Sequence, residues 1–65
     1  MTQDDYIRRL EMLRVDHRDL DVAIAALAET ALPDMLAIAR LKKRKLLLRD
    51  EMSWIEDRLI PDIIA

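Results

Sequence analysis

The stretch ETALPDML, residues 29–36, places Pro33 near the middle of a chain of 65 residues. Proline in a helix interior costs about 3 kcal/mol, so Pro33 predicts a boundary between two helices. Proline is favoured in the first turn of a helix, and we place Pro33 there, with Asp34 beside it complementing the helix dipole. A short turn over about residues 29–34 makes the two helices antiparallel neighbours.

The helices extend outward from this turn over most of the chain. We predict helix 1 over about residues 3–30, capped by Thr2 or Asp4, and helix 2 over about residues 33–60. Pro61 disfavours helical geometry in the residue before it, so helix 2 should end near residue 59 or 60. Residues 61–65 then form a short tail, and residues 1–65 form one helical-hairpin domain.

Both predicted helices carry an apolar seam with alternating spacings of four and three residues. The seam residues are Tyr6, Leu10, Leu13, His17, Leu20, Ile24 and Leu27 in helix 1, and Ile38, Leu41, Lys45, Leu48, Met52, Ile55 and Leu59 in helix 2. If the chain folds back about residues 32–33, opposed residues have numbers that sum to roughly 65, and every seam residue then faces a seam residue. This pattern predicts an all-α fold, an antiparallel, coiled-coil-like two-helix hairpin.

The composition supports an all-α chain that associates. The chain contains no glycine, which disfavours β-hairpins, and no cysteine, which excludes disulfides and thiolate metal sites. A domain this small is marginally stable alone, and oligomerisation is the remaining common remedy. We therefore expect a homodimer in which two hairpins form a four-helix bundle.

A basic run, RLKKRKLLLR at residues 40–49, stands out in a chain of net charge −2. Its six basic residues are Arg40, Lys42, Lys43, Arg44, Lys45 and Arg49. Folded back, the run lies beside Asp16, Asp19 and Asp21. We expect Asp21 to reach Lys42 or Lys45, and Asp16 to reach Lys45 or Arg49. These pairs should fix the register of the hairpin more than its stability.

The alternative interpretation of the basic run is contact with the phosphates of a nucleic acid. Stacking on bases or reading of a groove would favour aromatic residues or a longer basic surface. The chain has one Tyr and one Trp, and its pI is about 5.2. Charge matching within the hairpin is therefore the favoured interpretation, and nucleic-acid binding is the second.

Two segments of this pattern also resemble a known family. HRDLD at residues 17–21 followed by Ile24, and LKKRKLLLRDEM at residues 41–52, resemble the YdcH-like family of small bacterial proteins. Arg49 stands where that family commonly has Lys, and Met52 where it commonly has Ile. The resemblance covers roughly residues 10–55. It implies a cytoplasmic helical hairpin, and it implies no activity, since the family is known as a domain of unknown function.

His17 is the one candidate general base of the chain. It could act as a pH switch, or form half of a metal pair with Asp21 across an oligomer. The simpler interpretation is a seam histidine hydrogen-bonded to Asp21 or Asp16. Catalysis needs a second positioned group, and Ser53, the single serine, lies far from His17 in the predicted pairing. We expect no enzyme activity, no cofactor and no bound metal.

A second apolar set lies off the seam and gives the candidate interaction surface. Its members are Leu36, Leu47 and Trp54 in helix 2, Val15 and Val22 in helix 1, and Ile63 and Ile64 in the tail. A tryptophan at heptad spacing from a leucine is typical of an interface anchor. We expect a non-catalytic interaction or oligomerisation module that binds itself and an unidentified cytoplasmic protein.

The location of the protein is predicted from its apolar runs. The residues at the beginning of the sequence contain no apolar segment of a secretory signal. The longest uncharged run, residues 22–28, is far shorter than the about 20 residues that span a membrane. We therefore expect a soluble, cytoplasmic protein.

Overall fold

The computed structural model describes residues 2–59, which form two helices, α1 (Gln3–Ala28) and α2 (Met35–Leu59). The helices pack against each other as an antiparallel hairpin, and residues 2–59 contain no strand. The all-α hairpin is therefore confirmed. The hairpin measures 49 × 21 × 15 Å, and the interface between α1 and α2 follows its long axis.

α1 begins at a reciprocal cap formed by Thr2 and Asp5. The Thr2 hydroxyl oxygen accepts a hydrogen bond from the Asp5 backbone N–H at 3.2 Å, and the Asp5 carboxylate accepts one from the Thr2 backbone N–H at 3.1 Å. Two backbone donors that a helix start leaves without partners are satisfied in this way. The bonds from Thr2 also lower the pKa of Asp5. Of the two predicted caps, Thr2 is the one observed.

The turn covers residues 29–34, the range predicted, because α1 ends at Ala28 and α2 begins at Met35. Pro33 lies before α2 and not in its first turn, so that prediction was wrong. The reason is the Asp34 carboxylate, which accepts a hydrogen bond from the Ala37 backbone N–H at 3.0 Å. Asp34 is therefore the N-cap of α2, a position that aspartate favours, and Pro33 precedes it. No residue of the described range has a positive φ, so this turn requires no glycine.

The core lies along the predicted seams. Leu10, Leu13 and Ile55 form a buried cluster, and Ile38 is buried nearer the turn. Partly buried residues pack against the cluster from both helices: Tyr6, Leu48, Met52 and Leu59. Every predicted seam residue is at least partly buried. Leu13 and Met52 belong to the same packed group, which confirms the antiparallel fold-back.

Two further predictions concern the ends of the chain and its apolar length. Pro61 and the tail residues Ile63 and Ile64 lie outside the described residues. Neither α1 nor α2 contains an apolar stretch long enough to cross a membrane.

Candidate functional site

Lys45 occupies a seam position on α2, but its charged end leaves the seam. Its ammonium nitrogen lies 2.5 Å from the Asp21 Oδ1 atom of α1. The methylene stem can thus pack beside apolar neighbours while the charge stays partly hydrated. Of the two partners predicted for Asp21, Lys45 is the one observed. The Lys45 ammonium lowers the pKa of Asp21.

His17 is partly buried on the seam, with its side chain 23% exposed. Its Nδ1 atom lies 3.7 Å from the Asp21 Oδ2 atom, too far for a hydrogen bond. Among the described residues, neither Asp21 nor Asp16 forms a hydrogen bond with His17, so that part of the prediction was wrong. Asp21 turns instead to Lys45, whose ammonium is closer.

Two ion pairs flank the seam, and sequence reasoning missed both. Arg9 contacts Glu51 through two nitrogens, at 2.8 and 3.3 Å, and Arg14 contacts Glu56 at 3.4 Å. The Arg9 guanidinium lowers the pKa of Glu51, and Glu51 raises the pKa of Arg9. The residue numbers of the two pairs sum to 60 and 70, five below and five above the sum of 65 for opposed seam residues. This offset is the signal that could have identified the pairs.

The basic run does not form one surface, because the helix distributes its side chains around α2. Lys42, Lys45 and Arg49 line an open groove together with His17 and Leu46. Arg44 lies on the other side of the seam. It lines a second groove with Asp16 and Asp19. Arg40 and Lys43 are exposed.

Asp16 therefore pairs with neither Lys45 nor Arg49 in the described range, contrary to the prediction. Asp16 and Asp21 are five residues apart on α1. Five residues at 3.6 per turn place the two side chains roughly 140° apart, on opposite sides of the seam. The groove lined by Lys42, Lys45, Arg49 and His17, which we call the basic groove, therefore carries three cationic side chains. Asp21 contacts one of them, Lys45.

Trp54 lies outside the seam of α2, and its ring still reaches α1. The Tyr6 ring meets it edge to face, with ring centroids 6.0 Å apart, and the Arg58 guanidinium lies 3.9 Å from its ring centroid. These contacts hold the indole in place, yet Trp54 remains 50% exposed. Leu36 and Leu47 are exposed to a similar degree. We call this surface the α2 outer face; its residues are Leu36, Arg40, Lys43, Leu47, Asp50 and Trp54.

Val15 and Val22 belong to a different surface. Both are exposed, at 58% and 62%. They lie roughly 170° around α1 from the seam, so they point away from α2. The members of the predicted interaction surface that lie within residues 2–59 thus occupy two separate faces of the hairpin. Of these two, the α2 outer face carries the aromatic residue.

A known protein family matches most of the chain. The sequence model of a family described as "Protein of unknown function (DUF465)" matches residues 10–56, well over half of the chain. The match confirms the YdcH-like resemblance over nearly the same residues. No curated protein and no solved structure matches the chain.

Proposed function

Because this chain belongs to the DUF465 family of small YdcH-like proteins, whose description names no activity, we propose its role from the geometry of the hairpin. The protein is a non-catalytic helical-hairpin module that acts by binding protein, with a second copy of itself as the first partner. The proposal keeps the cytoplasmic location that the family resemblance implies.

The exposure of the α2 outer face carries this proposal. Leu36, Leu47 and Trp54 remain 50–62% exposed after the two helices have packed. A two-layer hairpin has no further layer to cover them. Pairing of two hairpins into a four-helix assembly through this face would bury these side chains in a second apolar seam, beside a core of few buried residues. A larger cytoplasmic protein that docks on the same face is the second expected partner.

The arrangement around His17 supports a role without catalysis. His17 lies within a groove of basic side chains, and its nearest carboxylate is already engaged by Lys45. A general base needs an orienting partner and a substrate pocket that excludes water. The groove is open, and the orienting partner is 3.7 Å away.

Sedimentation over a wide concentration range tests self-association. We expect the parent protein to form a dimer and Trp54→Glu to shift it toward monomer, because a carboxylate would be buried at the interface. Val22→Glu is the matched control, since Val22 has similar exposure on the surface of α1 that also carries Val15, which we call the α1 outer face. A parent protein that stays monomeric at high micromolar concentration would contradict self-association.

Nucleic-acid association is the alternative function, and the basic groove favours it. Lys42, Lys45 and Arg49 converge there with His17, while a single acid, Asp21, contacts the group. Phosphate contacts would make the logarithm of the binding constant fall linearly with the logarithm of the salt concentration. The slope on duplex DNA would be about −0.9 per contact. Micromolar binding at about 150 mM salt, lost in Lys42→Gln/Arg49→Gln, would support this alternative. Absence of binding at low salt would refute it.

A further inference from the structure

We propose that the α2 outer face pairs with the same face of a second copy, antiparallel across a two-fold axis, with opposed residue numbers summing to 90. The inference rests on the proposed self-association and specifies its geometry. In this pairing α2 lies against α2 of the second copy, and the α1 outer face with Val15 and Val22 takes no part.

The spacing of the α2 outer face shows that it can form a second seam. Positions 36, 40, 43, 47, 50 and 54 alternate in steps of four and three, as the residues of the first seam do. All six are exposed, and the face lies roughly 140° around α2 from the first seam. A second helix can therefore pack on this face while α1 stays in place. In the first seam, residues with this spacing from the two antiparallel helices pack into one cluster.

At a sum of 90, each position finds a compatible partner. Leu36 lies opposite Trp54 of the second copy, and Arg40 lies opposite Asp50. Lys43 lies opposite Leu47, where its methylene stem can pack while the ammonium reaches water. The two-fold axis repeats each contact. Among the described residues, the ion pairs use none of Arg40, Lys43 and Asp50, so their charges are available.

The neighbouring registers fit less well. If one α2 is shifted along the other by seven residues, opposed residue numbers sum to 83. Arg40 then lies opposite Lys43, which carries a like charge. The opposite shift gives a sum of 97 and opposes Leu47 to the carboxylate of Asp50. Parallel pairing places every charge opposite its own copy. The pattern of charges therefore selects one antiparallel arrangement, in the way that charge patterns set partner orientation between helices.

Charge reversal at the Arg40–Asp50 contact tests this pairing. In Arg40→Asp two acids face each other twice per dimer, and in Asp50→Arg two arginines do. Each single variant should raise the Kd for self-association by about tenfold or more, because the contact occurs twice. The double variant Arg40→Asp/Asp50→Arg should recover most of the affinity. An equimolar mixture of the two single variants should form a heterodimer, since both of its contacts then join opposite charges.

The controls are Arg8→Asp and Glu11→Arg on the exposed surface of α1, which reverse comparable charges away from the α2 outer face. Both should self-associate like the parent protein. Helicity, measured by circular dichroism, should be unchanged in all variants. Emission of the single tryptophan should shift to shorter wavelength on association, because Trp54 gains Leu36 of the second copy as a neighbour.

The outcomes separate the two proposals. The α2–α2 pairing would be supported if each single variant self-associates more weakly and if affinity recovers in the double variant and in the mixture. A parent dimer that tolerates both single charge reversals would overturn this pairing and leave self-association standing. A parent protein that is monomeric at high micromolar concentration would overturn both.

Discussion

His17 is a polar residue on an apolar seam, and its replacement should stabilise the protein. Its nearest acid, Asp21, is beyond hydrogen-bonding distance, and its side chain is mostly buried. A leucine could pack beside its seam neighbours without leaving a polar group short of partners. We expect His17→Leu to keep the helical content and to raise the free energy of unfolding by about 1 kcal/mol, measured by urea denaturation.

Loss of helicity in His17→Leu would contradict this expectation. It would mean that the imidazole makes a bond on which the fold depends. His17→Gln serves as the matched polar control and should leave stability close to that of the parent protein.

Acid should destabilise the hairpin through its interhelical carboxylates. Lys45 lowers the pKa of Asp21 from 3.8, and Arg9 lowers that of Glu51 from 4.5. Because the folded-state values lie below the ordinary ones, these groups stabilise the fold above pH 3.8 and 4.5, respectively. The stabilisation is lost as pH falls through the folded-state values. Urea denaturation between pH 7 and 2 should show stability declining below about pH 4.5.

The variant Asp21→Asn isolates one part of this decline. It removes the charge that Lys45 contacts, so it should be less stable than the parent protein at pH 7. The difference should shrink in acid, where Asp21 of the parent is protonated. A difference that stays constant down to pH 2 would show that the ion pair does not cause the acid sensitivity.

Asp34 determines where α2 begins. Its carboxylate accepts the Ala37 backbone N–H, a bond that alanine cannot replace. We expect Asp34→Ala to lower the free energy of unfolding by about 1 kcal/mol, whereas Asp34→Asn should retain most of it. Thermal unfolding followed by circular dichroism measures both. Equal stability of the two variants would show that the cap contributes nothing.

The sequence predicted every residue of the two seams, because the buried positions of a helix recur with a period that is visible in the amino-acid sequence. It placed the turn over residues 29–34 but began the second helix too early, since Pro33 can stand inside or just before a helix and only the Asp34 cap decides. The predictions were least accurate for side chains with several candidate partners. Asp16 was assigned to the wrong side of the seam, and the Arg9–Glu51 pair was not identified. Long charged side chains reach many neighbours, so spacing alone does not choose among them.

Few residues are buried in the described part of the chain, and each should matter. Leu13 is 1% exposed at the centre of the cluster, whereas Leu46 is 55% exposed beside the basic groove. We expect Leu13→Ala to cost about 2–5 kcal/mol, because it leaves a cavity. Leu46→Ala should cost much less. Chemical denaturation of the two variants checks this, and similar losses would contradict the position of the core.

Association should make the stability of the hairpin depend on its concentration. If two copies pair, mass action stabilises the folded dimer, and the melting temperature should rise as concentration increases. In Trp54→Glu this dependence should weaken or disappear. Calorimetry over at least a hundredfold range of concentration measures it. A constant melting temperature in the parent protein would count against a dimer that forms on folding.

The flanking ion pairs also bear on errors made while the helices dock. If α2 slipped by seven residues in either direction, Arg9 would face Arg44 or Arg58 in place of Glu51. In one of these slips Arg14 would face Arg49 in place of Glu56. Misaligned hairpins would therefore exchange attraction for repulsion between arginines. Kinetic traps of this kind are disfavoured as the helices meet, so a chain with a repetitive apolar pattern can still reach a single fold.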